Sequence, residues 1–423
     1  MPLPVPTGPA VLDLLPVLRA ALSGSGPALL PHAADADAPA SLHPGEPLAA
    51  GEDCDDDPTV AVLTTSGSTG PVKGALLPAS ALLASVSATH DRLGGPGRWL
   101  LALPAQHVAG LQVLLRSLVA GTEPTVLDLA GGFDPAGFAA AAAATGGGRR
   151  YTALVPTQIR RLLDAGPGAH AALAGFDAVL VGGAAADPGL LAEAAARGAR
   201  LVTTYGMSET CGGCVYAGVP LDGVRVELEA DPGSHGDPAP GGDPGLGGGR
   251  VLLGGPVLAR GYRGGDPGGA FALAVDGAGR RERWFRTDDL GRLRPDGSLS
   301  VQGRLDDVIV TGGLKIAPVL VEAALLGLPG IAEAVVVGVP DPTWGQRVVA
   351  AVVAAPGAEE PTLAAVRRQV TELAGGHAAP RQLLVLDRLP LRGPGKPDRP
   401  RLVALAEAAP PPAPAPAPGE AGR

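Results

Sequence analysis

Thr64-Thr65-Ser66-Gly67-Ser68-Thr69-Gly70-Pro71-Val72-Lys73-Gly74 places hydroxyls, glycines and one lysine between the apolar run Val60–Thr64 and the periodic stretch Ala79–Leu93. Small side chains let backbone N–H groups close around an anion, and the lysine adds a point charge, so phosphate is the ligand this chemistry suits. It is not a Walker A loop, because Gly74 follows Lys73 where Ser or Thr would stand. A Gly/Ser-rich loop alone reads equally well as a flexible turn. The flanks read as strand, then helix, and that rhythm continues. Strands at Trp99–Leu103, Thr125–Leu129, Thr152–Val155, Ala178–Val181 and Leu201–Thr204 alternate with helices at Val108–Ala120, Pro135–Ala144, Pro156–Ala165 and Pro188–Ala196. Such alternation predicts an α/β fold with mainly parallel, helix-covered sheets.

The pattern changes beyond Gly213. Val224–Glu229, Arg250–Leu253 and a hairpin of Leu290–Leu293 with Leu299–Gln302 around Pro295-Asp296-Gly297 predict an antiparallel β subdomain. Between them, Asp231–Gly249 is a Gly/Pro-rich loop. After Arg304 come strands near Ala334–Val337 and Arg347–Val353 and a helix at Thr362–Ala374, which predict a small α+β unit. The expected domains are residues 1–304, 305–405 and a Pro/Ala-rich disordered tail, 406–423. The acidic run Glu52–Asp57 reads as a solvated loop rather than a metal site.

With 423 residues, 46% of them hydrophobic, the chain can bury a sizeable core. Its 64 glycines and 45 prolines are spread through patterned segments, so they read as bias rather than a missing fold. A net charge of −9 excludes a nucleic-acid binder, which needs a basic face. Three cysteines (Cys54, Cys211, Cys214), a poor export signal and no long apolar run predict a cytoplasmic protein without membrane insertion. Self-association into a homo-oligomer is left open. Cys211-x-x-Cys214 lacks a second ligand pair for zinc and reads as packing.

Among 33 basic residues only Lys73, Lys315 and Lys396 are lysines. Lysine is a compact charge and arginine a planar fork, so the survivors mark places where a point charge is wanted, or chance. All three fall within motifs. Tyr205-Gly206-Met207-Ser208-Glu209, Thr287-Asp288-Asp289, Gly303-Arg304-Leu305-Asp306-Asp307, Thr311-Gly312-Gly313-Leu314-Lys315-Ile316 and Gly395-Lys396 follow the opening loop in order. Together they resemble the superfamily of acyl-CoA synthetases, peptide-synthetase adenylation domains and luciferases, over roughly Thr59 to Leu402.

The resemblance implies ATP, Mg²⁺ and coenzyme A, with a small carboxylic acid as substrate. It implies phosphate binding by Thr65, Ser66, Gly67, Ser68, Thr69, Gly70 and Lys73, and nucleotide contacts from Gly182, Gly183, Ala184, Tyr205 and Gly206. Ser208 meets the α-phosphate, Glu209 supports Mg²⁺, Asp289 takes the ribose hydroxyls with Arg304 nearby, and Lys396 is the catalytic lysine. Asp306 is the hinge pivot, and Gly312 and Gly313 lie on the CoA route.

For the acid, Gln106-His107-Val108-Ala109-Gly110 precedes a helix whose Arg116 stands alone among Leu111, Val113, Leu114, Leu115 and Leu118. A lone arginine there is costly unless it meets water or an anion, although snorkelling or a structural pairing explains it equally. His-Val-Ala-Gly with an Arg nine residues after the His resembles the o-succinylbenzoate–CoA ligases of menaquinone biosynthesis, in their short actinobacterial form. Their substrate carries two carboxylates, so the resemblance implies Arg116 as anchor for the second, with His107, Thr157 and Gln158 lining the acyl pocket.

Several positions depart from the family pattern. Val72 replaces a Pro, and Arg392-Gly393-Pro394 stands where Thr-x-Ser is commoner. The stretch before the phosphate loop is short, about 60 residues, so part of the N-terminal subdomain of larger relatives is expected to be missing. Asp288 replaces a Gly and adds a carboxylate beside the nucleotide, repulsive unless it points away or Arg286 neutralises it. Two alternatives follow: a ligase or stand-alone adenylation enzyme for another acid, and a nucleotide-binding regulator whose catalysis was lost through Asp288.

Overall fold

The computed structural model describes residues 1–65, 72–230, 248–266, 268–275, 281–391 and 397–409. Among these, two compact units separate. One holds the chain up to residue 230 with Gly248–Thr287 and Gly291–Ser300; the other holds Asp288–Leu290 and the chain from Val301 onward.

The first unit is built on a seven-stranded sheet. Its order is Val219–Pro220, Gly212–Tyr216, Leu201–Met207, Ala178–Val181, Arg150–Leu154, Arg98–Leu101, Thr125–Val126. The last five run parallel, as the alternation predicts, and the first two are antiparallel. Side chains alternate across a strand, so Trp99, Leu101 and Leu180 enter one core while Leu100, Val179 and Val181 enter another. The helices Val108–Ala120, Pro135–Ala144 and Pro188–Ala196 have the expected bounds. A further helix, Pro167–Ala174, carries too weak an apolar stripe to stand out in the sequence.

The flanks of the opening loop depart from expectation. Thr59–Thr65 pairs antiparallel with a second strand, Lys73–Pro78, with Thr65 opposite Lys73 and Thr64 opposite Gly74. Gly261–Tyr262 adds a third strand to this separate sheet. The helix Ala79–Arg92 starts only after it. Gly74-Ala75-Leu76-Leu77 is buried on both faces and too short to display a period. A Cβ on Gly74 would lie 2.6 Å from Val62 Cγ1, so only glycine lets the strands approach.

The acidic run is a brace rather than a merely solvated loop. Asp53 accepts from Thr59 N at 2.6 Å, Glu52 from Gly264 N at 2.6 Å, and Asp57 from Ser80 N at 2.9 Å at the start of that helix. Arg225–Ala230 pairs antiparallel with Gly249–Gly254, and Leu299–Arg304 pairs with Arg281–Leu293, near the predicted strands, while Phe271–Val275 is a further, unexpected strand antiparallel to Arg281–Leu293. At the Pro295-Asp296-Gly297 turn, Gly297 takes φ +80° and Ser298 N donates to Asp296 Oδ1 at 2.9 Å. The glycine-rich residues 231–247 lie outside the described residues.

The second unit orders Leu314–Ile316, Ile309–Thr311, Gly345–Ala354 and Ile331–Asp341 antiparallel, with Gln382–Val385 parallel to Gly345–Ala354. Helices Pro318–Leu326, Leu363–Ala374 and Arg399–Ala408 complete it. The fold continues past the expected tail boundary at 406. Arg399–Ala408 is one helix, started by Asp398 Oδ1 accepting from Arg401 N at 3.1 Å and held by buried Leu402 and Ala406. Residues 410–423 lie outside the described residues. Among the described residues no helix is long and apolar enough to cross a membrane.

Candidate active site

In open α/β sheets, ligands sit beyond the carboxyl ends of the parallel strands. His107 follows the strand ending at Leu101, Thr157 the one ending at Leu154, and Gly182-Gly183-Ala184 the one ending at Val181. Tyr205, Gly206 and Met207 end the fourth, and Ser208 opens the 3₁₀ turn after it. The topology thus gathers these residues at one edge of the sheet. Gly183 needs its glycine for φ +82°. Gly206 needs its own because a Cβ would lie 2.1 Å from the Gly212 carbonyl oxygen of the paired strand.

Glu209 is buried in that turn, its carbonyl accepting from Ala259 N at 2.8 Å. Tyr262 Oη donates to Glu209 Oε1 at 2.8 Å. The same tyrosine presents its ring to Lys73, whose Nζ lies 5.0 Å from the ring centroid. Of the expected phosphate loop, Thr65 and Lys73 are described, while Ser66, Gly67, Ser68, Thr69 and Gly70 lie outside the described residues.

Two expected pocket residues serve the fold instead. Gln158 Oε1 accepts from Val155 N at 2.9 Å and its Nε2 donates to Ala102 O at 2.9 Å, so its amide caps a helix and ties it to the neighbouring strand end. Arg116 lies nine residues down its helix from His107, about 13 Å along the axis. It is fully buried, its Nη2 3.4 Å from both Thr89 Oγ1 and Tyr216 Oη, its guanidinium 4.9 Å from the Trp99 ring. Trp99 stands near the amino end of its strand, so Arg116 is not brought to the edge where His107 sits. Burial lowers its affinity for a proton, and its contacts are neutral. Gly110 of the His-Val-Ala-Gly string is likewise a packing glycine, since a Cβ would lie 2.3 Å from Pro104 O.

Cys211 and Cys214 are fully buried, which pushes the Cys214 thiol up to about 12 and Cys211 higher still. They are packed thiols.

In the second unit, Arg304 grips Asp306 with Nε at 2.8 Å and Nη2 at 3.0 Å, and stands 3.7 Å from Asp288 and from the buried Asp289. Burial opposes its charge, but the carboxylates, Asp306 foremost, outweigh this and hold its pKa above the usual range. Arg304, rather than the expected Arg286, therefore offsets Asp288, for Arg286 Nη2 donates to Glu229 Oε2 at 2.7 Å. Gly312 and Gly313, at φ +56° and +80°, form the tip of the hairpin joining Ile309–Thr311 to Leu314–Ile316. Lys396 lies outside the described residues; on either side, Leu391 bridges Pro397, and Asp398 N donates to Pro390 O at 2.8 Å.

Magnesium takes one or two carboxylates, keeps water, and completes its shell with substrate phosphates. A single hard carboxylate, Glu209, fits that demand. Among the described residues no group of three His, Cys, Asp or Glu side chains could hold a metal unaided. Sequence reasoning passed over Tyr262, because 53 residues separate it from Glu209 and only the sheet brings them together.

A two-unit α/β chain with a phosphate-type loop and one carboxylate at the strand ends defines a nucleotide-dependent enzyme class, and the chain belongs to the AMP-binding enzyme family. That family matches residues 13–263, and the AMP-binding enzyme C-terminal domain matches residues 320–396. A probable 2-succinylbenzoate–CoA ligase of Mycobacterium tuberculosis is 47% identical over 94% of this chain and 96% of that protein. A feruloyl-CoA synthase of Amycolatopsis is 33% identical over 90% of this chain and 80% of its own. Among solved structures, o-succinylbenzoate CoA synthetase from Bacillus subtilis with its acyl-adenylate has the same fold, at TM-score 0.68 and 24% identity, covering 92% of this chain and 80% of that one. ATP-bound MatB from Rhodopseudomonas palustris follows at TM-score 0.69 and 27% identity, covering 83% and 69%.

Proposed function

We propose that the chain is an ATP-dependent, AMP-forming ligase that joins o-succinylbenzoate to coenzyme A in the cytoplasm, a step of menaquinone biosynthesis. The observation that carries the reading is the Lys73–Tyr262–Glu209 cluster beside the strand ends. The near-complete overlap with the 2-succinylbenzoate–CoA ligase from Mycobacterium tuberculosis supports the acid.

The reaction has two halves. A carboxylate oxygen of the acid attacks the α-phosphorus of ATP, the bond to the bridging oxygen breaks, and pyrophosphate leaves. The thiol of coenzyme A then attacks the acyl carbonyl, and AMP leaves. Such transfers need positioning and charge neutralisation more than a protein nucleophile. Glu209 would hold Mg²⁺, which would supply neutralisation of phosphate charge. Lys73 and Lys396 supply fixed positive charge, Ser208 meets the α-phosphate, Tyr205 packs on adenine, and Asp289 with Arg304 takes the ribose. His107 and Thr157 line the acyl side; Arg116 and Gln158 are left out of the pocket. Asp306 serves as the hinge residue, and Gly312 and Gly313 serve the coenzyme A route.

The test is release of AMP and acyl-CoA from o-succinylbenzoate by wild type and Lys396→Ala. The variant should lose adenylation by on the order of 100-fold. Activity with another acid but none with o-succinylbenzoate overturns the substrate. Absence of carboxylate-dependent pyrophosphate exchange with every acid would favour the regulator, which the pairing of Asp288 with Arg304 already disfavours.

A further inference from the structure

We propose that Tyr262 is a positioning residue that joins the two charged groups of the nucleotide site, steering Glu209 through its hydroxyl and seating Lys73 on its ring. This rests on the reading above, in which Glu209 supports Mg²⁺ and Lys73 a phosphate.

The geometry is built into the backbone. Gly261–Tyr262 pairs with Lys73–Pro78, Tyr262 opposite Ala75, and Arg263 N donates to Gly74 O at 2.8 Å. Tyr262 thus comes from the strand beside the one that opens with Lys73. Its ring is buried and meets Phe271 edge-on at 5.4 Å between centroids, which sets its tilt. From that seat Oη donates to Glu209 Oε1 at 2.8 Å while one ring face receives Lys73 Nζ at 5.0 Å. Glu209 is independently fixed at its backbone by Ala259 N at 2.8 Å.

Contacts from Lys73 and Phe271 on strands and from Glu209 in its 3₁₀ turn therefore converge on one phenol. A carboxylate that accepts from a buried donor keeps one rotamer, so its oxygens are aimed before a cation arrives. Loss of a partner of this kind typically costs about 10- to 100-fold in metal affinity or activity. A phenol that gives its proton towards a carboxylate also carries more electron density on its ring, which strengthens the hold on the ammonium.

A buried tyrosine usually finds some partner, so the test must move something that packing alone does not. Tyr262→Phe keeps the ring, the Phe271 contact and the lysine seat, and removes only the hydroxyl. Calorimetric titration of the full chain should show affinity for Mg·ATP falling about tenfold, while ATP without divalent metal binds within about threefold of wild type. Thioester formation from preformed acyl-adenylate should stay within about threefold, since pyrophosphate has already left. Tyr262→Leu removes the lysine seat too and should lower metal-free ATP affinity as well, with thermal unfolding confirming that both variants are folded. Glu209→Gln separates the two levels of the claim. If it leaves Mg·ATP affinity unchanged, the reading of Glu209 itself fails. If it weakens Mg·ATP but Tyr262→Phe does not, or Tyr262→Phe weakens ATP with and without metal alike, the role of Tyr262 is overturned.

Discussion

Each unit draws an arginine inward, Arg116 fully buried and Arg399 half-buried, and the two are held in opposite ways. In the first, Arg116 lies among Thr89, Tyr216 and Trp99, all neutral. In the second, Arg399 opens the last helix between two carboxylates, its Nε 3.0 Å from Asp307 and its Nη2 2.9 Å from Glu322. A buried cation with neutral partners keeps most of its desolvation cost, whereas one with carboxylates becomes indispensable to them. The residue that stood out in the sequence is the one whose removal should matter less.

The largest effect that would sharpen this contrast comes from Arg399→Met. It leaves Glu322 and Asp307 part-buried without their cation, a cost of about 3 kcal/mol at neutral pH, read by hydrogen exchange in Ile331–Asp341. Burial already raises both carboxyls, and Arg399 opposes this. Removing it raises them further above their unfolded values. The cost of keeping them charged exists above the folded pKa and disappears as pH falls below the unfolded one, so the deficit should shrink on acidification. A deficit that grows toward acid would break the argument.

Arg116→Met should change stability by no more than about 1 kcal/mol, because methionine fills similar volume and Thr89 Oγ1 and Tyr216 Oη remain 3.0 Å apart as mutual partners. The KM for the acid should hold within about threefold, since Arg116 lies away from the strand ends. A tenfold rise would restore Arg116 as the acid's anchor.

Asp288→Gly is smaller still. Its pairing with Arg304 is exposed, so the KM for ATP should move by less than about fivefold. A larger change would mean that Asp288 faces the nucleotide. Last, a thiol reagent should label Cys54 and spare Cys211 and Cys214 in the folded protein, with activity nearly unchanged. Labelling of either buried thiol before unfolding would show that the turn and strand around them open.

Much of the fold was legible because helices and parallel strands write their own periodicity. Val108–Ala120, Pro135–Ala144, Ala178–Val181 and Pro188–Ala196 have the bounds the pattern predicts. Short segments with no room for a period escaped it, such as Lys73–Pro78 and Gly261–Tyr262. The site divides the same way: Tyr205, Gly206, Glu209, Asp289 and Arg304 stand in compact motifs, whereas Tyr262 acts across 53 residues.

The sequence by itself determined the family and the order of its chemical groups, because a phosphate-type loop, glycines in forced conformations and three surviving lysines depend on local residue type. Only the tertiary structure decided which polar residues face the ligand edge. Gln158 spends its amide on backbone, Arg116 packs below the sheet edge, Arg304 takes the offsetting of Asp288 from Arg286, and Tyr262 reaches Glu209. Each of these depends on strand pairing and burial between distant segments, and spacing along a chain carries no record of that.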